Sequence, residues 1–213
     1  MSYLRRFWFE GPVGKLEGLL RMACPARAAA VVAHPHPQYG GTMDNPVVFH
    51  TERTLHNNGF TTLRFNFRGV GHSDGVFDGR AEVEDFAAAM RWLTGVAVGL
   101  PLLAVGYSFG SWCMLRHAER GDAPRAQGLI AIGLPTGLYK FEGMGQLGSP
   151  LAVVQGSEDE LGPKAEVEQL LRNILPAAQL SILPGVGHLF EGRARDVGTA
   201  VLAAALQMLP PLA

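Results

Sequence analysis

Leu102-Leu103-Ala104-Val105-Gly106-Tyr107-Ser108-Phe109-Gly110-Ser111-Trp112-Cys113-Met114-Leu115 decides how the rest of the chain is read. Leu102 to Val105 is a short apolar run with the length of a buried strand. A Gly-x-Ser-x-Gly turn follows at 106–110. Trp112, Leu115 and Ala118 then recur at helical spacing. Strand, sharp turn and helix together make a nucleophile elbow, which lifts a serine hydroxyl above a sheet. Glycines two before and two after the serine let the strand and helix backbones approach closely. The hydroxyl of Ser108 then stands at the amino end of a helix, whose partial positive charge suits a developing anion.

The chain carries its own control. Gly71-His72-Ser73-Asp74-Gly75 matches the same pattern. It is preceded by Asn66-Phe67-Arg68-Gly69-Val70, which is not a buried strand, and followed by Val76-Phe77-Asp78-Gly79-Arg80, which is not a helix start. Context therefore favours Ser108 as nucleophile and makes Ser73 a loop residue.

With 213 residues, 47% hydrophobic and 17% charged, the chain is long and apolar enough for one well-filled α/β domain spanning 1–213. A net charge of −1 offers no basic surplus for nucleic acid or an anionic membrane. The amino terminus lacks the apolar core of a signal peptide, and the alanine-rich tail at 197–209 is too short to span a bilayer. Cys24 and Cys113 make no disulfide framework and suit a reducing, cytoplasmic setting.

Apolar runs predict strands at 5–10 and 15–22 around a Gly- and Pro-bearing loop, then at 28–33, 60–65, 102–106, 128–132, 151–155 and 179–183. Helices are expected after Asn45 (an N-cap, with Pro46 first and Gly59 just past the end), around Val83 to Leu93, after the elbow, over 163–175 and at 197–209. Strands alternating with helices imply a doubly wound, mostly parallel sheet with helices on both faces. Ligands bind such sheets at the carboxyl ends of the strands.

A serine hydroxyl needs a base, and on this architecture an acid and then a histidine follow the serine in chain order. Ser157-Glu158-Asp159-Glu160, after the strand at 151–155, offers the acid: Asp159 first, with Glu158 or Glu160 as alternatives. Gly185-Val186-Gly187-His188, after the last strand, offers His188 as base. One oxyanion donor should be the Phe109 N–H. The other should come from the loop after the strand at 28–33. Pro35 and Pro37 have no N–H, which leaves His36, Gln38 and Tyr39 open. His50, His56 and His117 read as surface residues of helices. His34 and His36 lack the acids and cysteines that would make a metal site, and no cofactor or metal is expected.

On these residues the chain resembles the α/β-hydrolase superfamily over nearly its whole length. His34-Pro35-His36-Pro37-Gln38-Tyr39-Gly40-Gly41-Thr42-Met43-Asp44-Asn45 is similar to the small lidless serine hydrolases of the dienelactone-hydrolase-like branch. Asn66 to Ser73 is similar to the Arg-Gly-x-Gly-x-Ser loop that precedes the elbow there. The resemblance implies a serine hydrolase of small carboxylic esters or thioesters. Dienelactone hydrolases themselves use a cysteine, so their substrate is not implied. A peptidase or amidase with the same three residues, or a scaffold that has lost chemistry, are the alternatives. Fewer than twenty residues separate Ile132 from Leu151, too few for a helical lid, so an open site is expected.

Overall fold

In the computed structural model, residues 3–121, 123–141, 147–174 and 177–209 are described. The strands are β1 (Tyr3–Gly11), β2 (Gly14–Met22), β3 (Ala28–Ala33), β4 (Phe60–Phe65), β5 (Leu102–Tyr107), β6 (Gly128–Ile132), β7 (Leu151–Gly156) and β8 (Gln179–Leu183). They form one sheet in the order β1-β2-β4-β3-β5-β6-β7-β8. The β1–β2 hairpin is antiparallel and joins β4 antiparallel, while β4, β3, β5, β6, β7 and β8 run parallel. The helices are α1 (Pro46–Asn57), α2 (Glu82–Val96), α3 (Phe109–Arg120), α4 (Lys164–Ile174) and α5 (Ala194–Met208). This is the doubly wound, mostly parallel sheet with helices on both faces that the sequence predicts. The predicted end of the fourth helix at Leu175 lies outside the described residues.

Period-two alternation along the central strands splits the core into two layers. Ala29, Val31 and Ala33 of β3 and Ala104 of β5 belong to one layer with Phe86 and Met90 of α2, Met114 of α3 and Val167 and Leu171 of α4. Ala28, Ala30 and Val32, with Leu103, Val105 and Tyr107, face α1 and α5, packing on Val48, Leu55, Val201 and Ala205. Burying a Leu, Val, Phe or Met side chain contributes about 1.5–3 kcal/mol, so both layers are needed. Asn45 caps α1 as its residue type predicts: its Oδ1 accepts the Val47 N–H at 2.9 Å.

The histidines differ from expectation. His117 is buried, its ring 5.8 Å from that of Phe86, because α2 packs alongside α3 on the same face of the sheet. His50 and His56 are half-buried on α1.

Order reversal positions the site. The chain goes from β3 outward to β4, then crosses back over β3 to β5. Loops leaving β3 and β5 therefore part in opposite directions and open a crevice at their carboxyl ends. Ala33 is level with Phe65 on one side and with Gly106 on the other, so the loops after β3, β4 and β5 emerge together.

Candidate active site

Ser108 occupies the crevice. Its backbone has φ 53° and ψ −115°, a region that non-glycine residues rarely adopt, and held there by its surroundings. The Ser108 N–H donates to Ile132 O at 2.8 Å, and the Ser111 hydroxyl donates to Ser108 O at 2.6 Å. Close packing accounts for both elbow glycines. A Cβ on Gly110 would lie 2.7 Å from the carbonyl oxygens of Ala33 and His34, and one on Gly106 would lie 2.5 Å from Ser111 N. All of these are backbone atoms with no room to move.

The structure brings Ser108, His188 and Asp159 into one hydrogen-bonded chain. Ser108 Oγ lies 2.8 Å from His188 Nε2, and His188 Nδ1 lies 2.9 Å from each Asp159 oxygen. All three residues are buried. With the Nδ1 proton directed at the carboxylate, Nε2 is the acceptor that can take the serine proton.

The three adjacent acids have separate surroundings. Asp159 is buried and also accepts from Gln155 Nε2 (2.7 Å), Leu161 N (3.0 Å) and Gly162 N (2.9 Å). Glu158 is exposed. Glu160, also exposed, accepts the backbone N–H of His188 at 3.2 Å. Its own backbone N–H and then that of His188 hold its carboxyl below the usual range.

Phe109 opens α3, and its N–H has no hydrogen-bond partner among the described residues; nor does that of His36. The two aromatic rings lie 5.2 Å apart. By contrast, the Gln38 N–H donates to His36 Nδ1 (3.2 Å) and the Tyr39 N–H to His36 O (3.1 Å), within a short 3₁₀ turn over Pro37–Tyr39. Of the three loop candidates, His36 alone has its N–H free.

Sequence reasoning missed the supports. Gln155, fully buried at the end of β7, accepts the Leu134 N–H (2.8 Å) and donates to Gly162 O (2.8 Å) as well as to Asp159. Tyr107 donates its hydroxyl to His188 O at 3.0 Å, and burial raises its phenol pKa, which keeps it a donor. A polar residue closing an apolar strand is the only signal that marked Gln155.

His34 links the loop after β3 to the loop after β4. Its Nδ1 is 2.6 Å from Pro35 O, and its Nε2 accepts the Phe67 N–H at 3.1 Å. Burial lowers its pKa to about 4, so the ring is neutral. Ser73 is a strut in the neighbouring loop: its Oγ donates to Asn66 O (2.8 Å) and accepts the Glu17 N–H (2.9 Å). Among the described residues, no group of three or more His, Cys, Asp and Glu is placed to hold a metal ion, and no helix is long and apolar enough to cross a membrane.

The chain has relatives among known proteins. A family model described as "Alpha/beta hydrolase domain" matches residues 26–207. An uncharacterized protein of Rickettsia prowazekii (strain Madrid E) is 33% identical over 207 residues, covering 92% of this chain and 86% of that protein. A serine hydrolase without a lid from Xanthomonas campestris superposes with a TM-score of 0.89 at 31% identity, covering 99% of this chain and 97% of the other. An alpha-beta serine hydrolase homologue from Coxiella burnetii superposes with a TM-score of 0.86 at 32% identity, covering 94% and 96%.

Proposed function

The chain belongs to the alpha/beta hydrolase family, and from that premise we propose that it is a serine hydrolase cleaving small carboxylic esters or thioesters through an acyl-enzyme. The observation that carries this reading is the unbroken chain from Ser108 Oγ through His188 to Asp159.

In the proposed reaction Ser108 Oγ attacks the acyl carbon as His188 Nε2 takes its proton. Asp159 holds the imidazole tautomer and stabilises the imidazolium. The tetrahedral oxyanion receives the N–H groups of Phe109 and His36. Preorganised donors of this kind supply the largest single part of such catalysis. The intermediate collapses: the bond to the leaving oxygen or sulfur breaks, and His188 returns the proton to it. Water then attacks the acyl-Ser108 ester by the same steps and releases the acid.

The β6–β7 connection is 18 residues long, too short for a helical lid that buries its own apolar face over Ser108. Discrimination by burying methylenes is worth about 1–3 kcal/mol for each group, and an open site recovers little of it. Short-chain activated esters and thioesters are therefore the expected substrates, with weak amide hydrolysis and no activation at a lipid–water interface. Cys24 and Cys113 are both free thiols, which suits a reducing, cytoplasmic setting.

A fluorophosphonate probe tests the reading. Wild-type protein should label and hydrolyse p-nitrophenyl acetate, and Ser108→Ala should do neither. Absence of label on wild-type protein would overturn it.

A further inference from the structure

The two flanks of Ser108 differ in composition. On one side lies the His188 ring, 6.0 Å from that of Tyr107. On the other, aromatic rings from four segments join through Phe109. His36 (5.2 Å), Phe77 (5.6 Å), Trp112 (5.7 Å) and Tyr139 (5.9 Å) all meet it. Further contacts link His36 to Phe77 (4.8 Å) and Tyr39 (4.9 Å), and Trp112 to Tyr139 (5.1 Å).

Phe109 is buried, so its packing is that of a core. Phe77, Trp112 and Tyr139 pack against that core on one side and stay partly open on another. His36, Phe77, Trp112 and Tyr139 are half-buried and Tyr39 is 83% exposed. Val76 and Leu138, next to Phe77 and Tyr139 in sequence, stand 80% and 53% exposed. Three of the carrier loops follow β3, β4 and β6, so they rise from the same end of the sheet as Ser108. The Tyr139 phenol is pushed up to about 12, first by burial and then by Cys113 and Tyr39, so it stays neutral at physiological pH.

Chemistry assigns the flanks. His188 must protonate the leaving group, so that group lies beside the imidazole. The acyl carbon's other substituent then lies on the opposite flank, along the rings. We propose that this ring set is the acyl subsite and that it selects a planar aromatic acyl group. The inference rests on the serine-hydrolase reading. It refines the short-chain expectation: a linear alkyl chain gains little here, whereas a flat ring gains offset or edge-on contacts with the part of these rings that the core leaves uncovered.

Two p-nitrophenyl esters separate ring recognition from plain burial, because the leaving group and the chain next to the carbonyl are the same in both. The 3-phenylpropanoate should show a kcat/KM about five- to tenfold above that of the 3-cyclohexylpropanoate. Burial alone predicts the reverse, since cyclohexyl is the larger apolar group. Tyr139→Leu should bring the ratio towards one. Tyr39→Ala, at a surface position that folding does not depend on, should lower it too. Equal rates in the wild type, or a ratio unmoved in both variants, would overturn the inference while p-nitrophenyl acetate turnover and fluorophosphonate labelling left the hydrolase reading standing. If wild-type protein neither labels nor turns over any ester, that reading fails. Calorimetric binding of the free acids then decides the subsite: tighter binding of 3-phenylpropanoate supports it, and equal or weaker binding overturns it.

Discussion

In Gly106-Tyr107-Ser108-Phe109-Gly110 neither glycine needs a left-handed backbone; each is required because a Cβ would strike backbone atoms of a neighbouring element. In Gly71-His72-Ser73-Asp74-Gly75 both glycines are left-handed, at φ +58° and +83°, and the atoms a Cβ would meet belong to side chains of Asn66, Glu17, Val13 and Arg68. The serines are reversed as well. Ser108 carries the unusual dihedral itself and leaves its hydroxyl to His188, whereas Ser73 spends its hydroxyl on two backbone groups. One spelling thus encodes a crowded crossing of strand and helix at one place and a loop braced by side chains at the other. What separates them is the flanking strand and helix.

Substitution should widen that contrast. The largest effect is expected at Ser108→Ala, with a loss of ester turnover of about 10⁵-fold or more, whereas Ser73→Ala should stay within a few-fold of wild type. Comparable losses at the two serines would erase the distinction. Asp159→Asn should cost about 10⁴-fold, because the amide favours the wrong imidazole tautomer. Glu160→Gln retains an acceptor for the His188 N–H and should cost less than tenfold, as read by the ratio of kcat values.

Stability separates the glycines. Gly106→Ala should cost about 4 kcal/mol or more, or prevent folding, since backbone atoms cannot yield. Gly75→Ala should cost only about 1–2 kcal/mol for its positive φ, with the Val13 side chain moving aside. Urea denaturation of both variants measures the difference.

His34 ties the two loops through Phe67, and it makes the union acid-sensitive. Its pKa in the folded protein, about 4, is below the ordinary 6.5. As pH falls below 6.5 the unfolded chain takes up a proton that the folded one refuses. The contribution is therefore whole above pH 6.5, declines between 6.5 and 4, and levels off below that, a change of about 3 kcal/mol. In His34→Gln this part of the pH–stability slope should vanish. Ser73→Ala should cost about 1–2 kcal/mol of stability, because the Glu17 N–H loses its acceptor.

Much of this was open to reading because it follows from local rules. Alternation of apolar runs located every strand, Asn45 and Pro46 announced α1, and the elbow named Ser108 before any contact was known. Within the acidic stretch the sequence puts Asp159 first but leaves Glu158 and Glu160 as alternatives, because burial decides and burial is a property of the folded loop. The oxyanion candidates stayed at three since only the turn over Pro37–Tyr39 shows that the Gln38 and Tyr39 N–H groups point inward to His36. The bracing roles of Gln155, Tyr107 and His34 leave no mark in the sequence for a related reason. Each acts on a residue distant in sequence or across a turn, through bonds that leave no periodic trace. His117 misled because a polar residue on a helix reads as solvated until a second helix is known to cover it.

The family match begins at residue 26, beyond the β1–β2 hairpin, yet the hairpin reaches inward. Glu17 on β2 accepts Asn66 Nδ2 (2.7 Å) and the His72 N–H (2.9 Å), and Asn66 Oδ1 in turn accepts the Met43 N–H (2.8 Å). An edge strand pair thereby tethers two of the loops that border the crevice. Trimmed to the matched segment, the polypeptide would keep Ser108, His188, Asp159 and both free N–H groups, and would lose the anchor of the scaffolding around them. The matched segment is therefore shorter than the unit whose hydrogen bonds hold the crevice loops together.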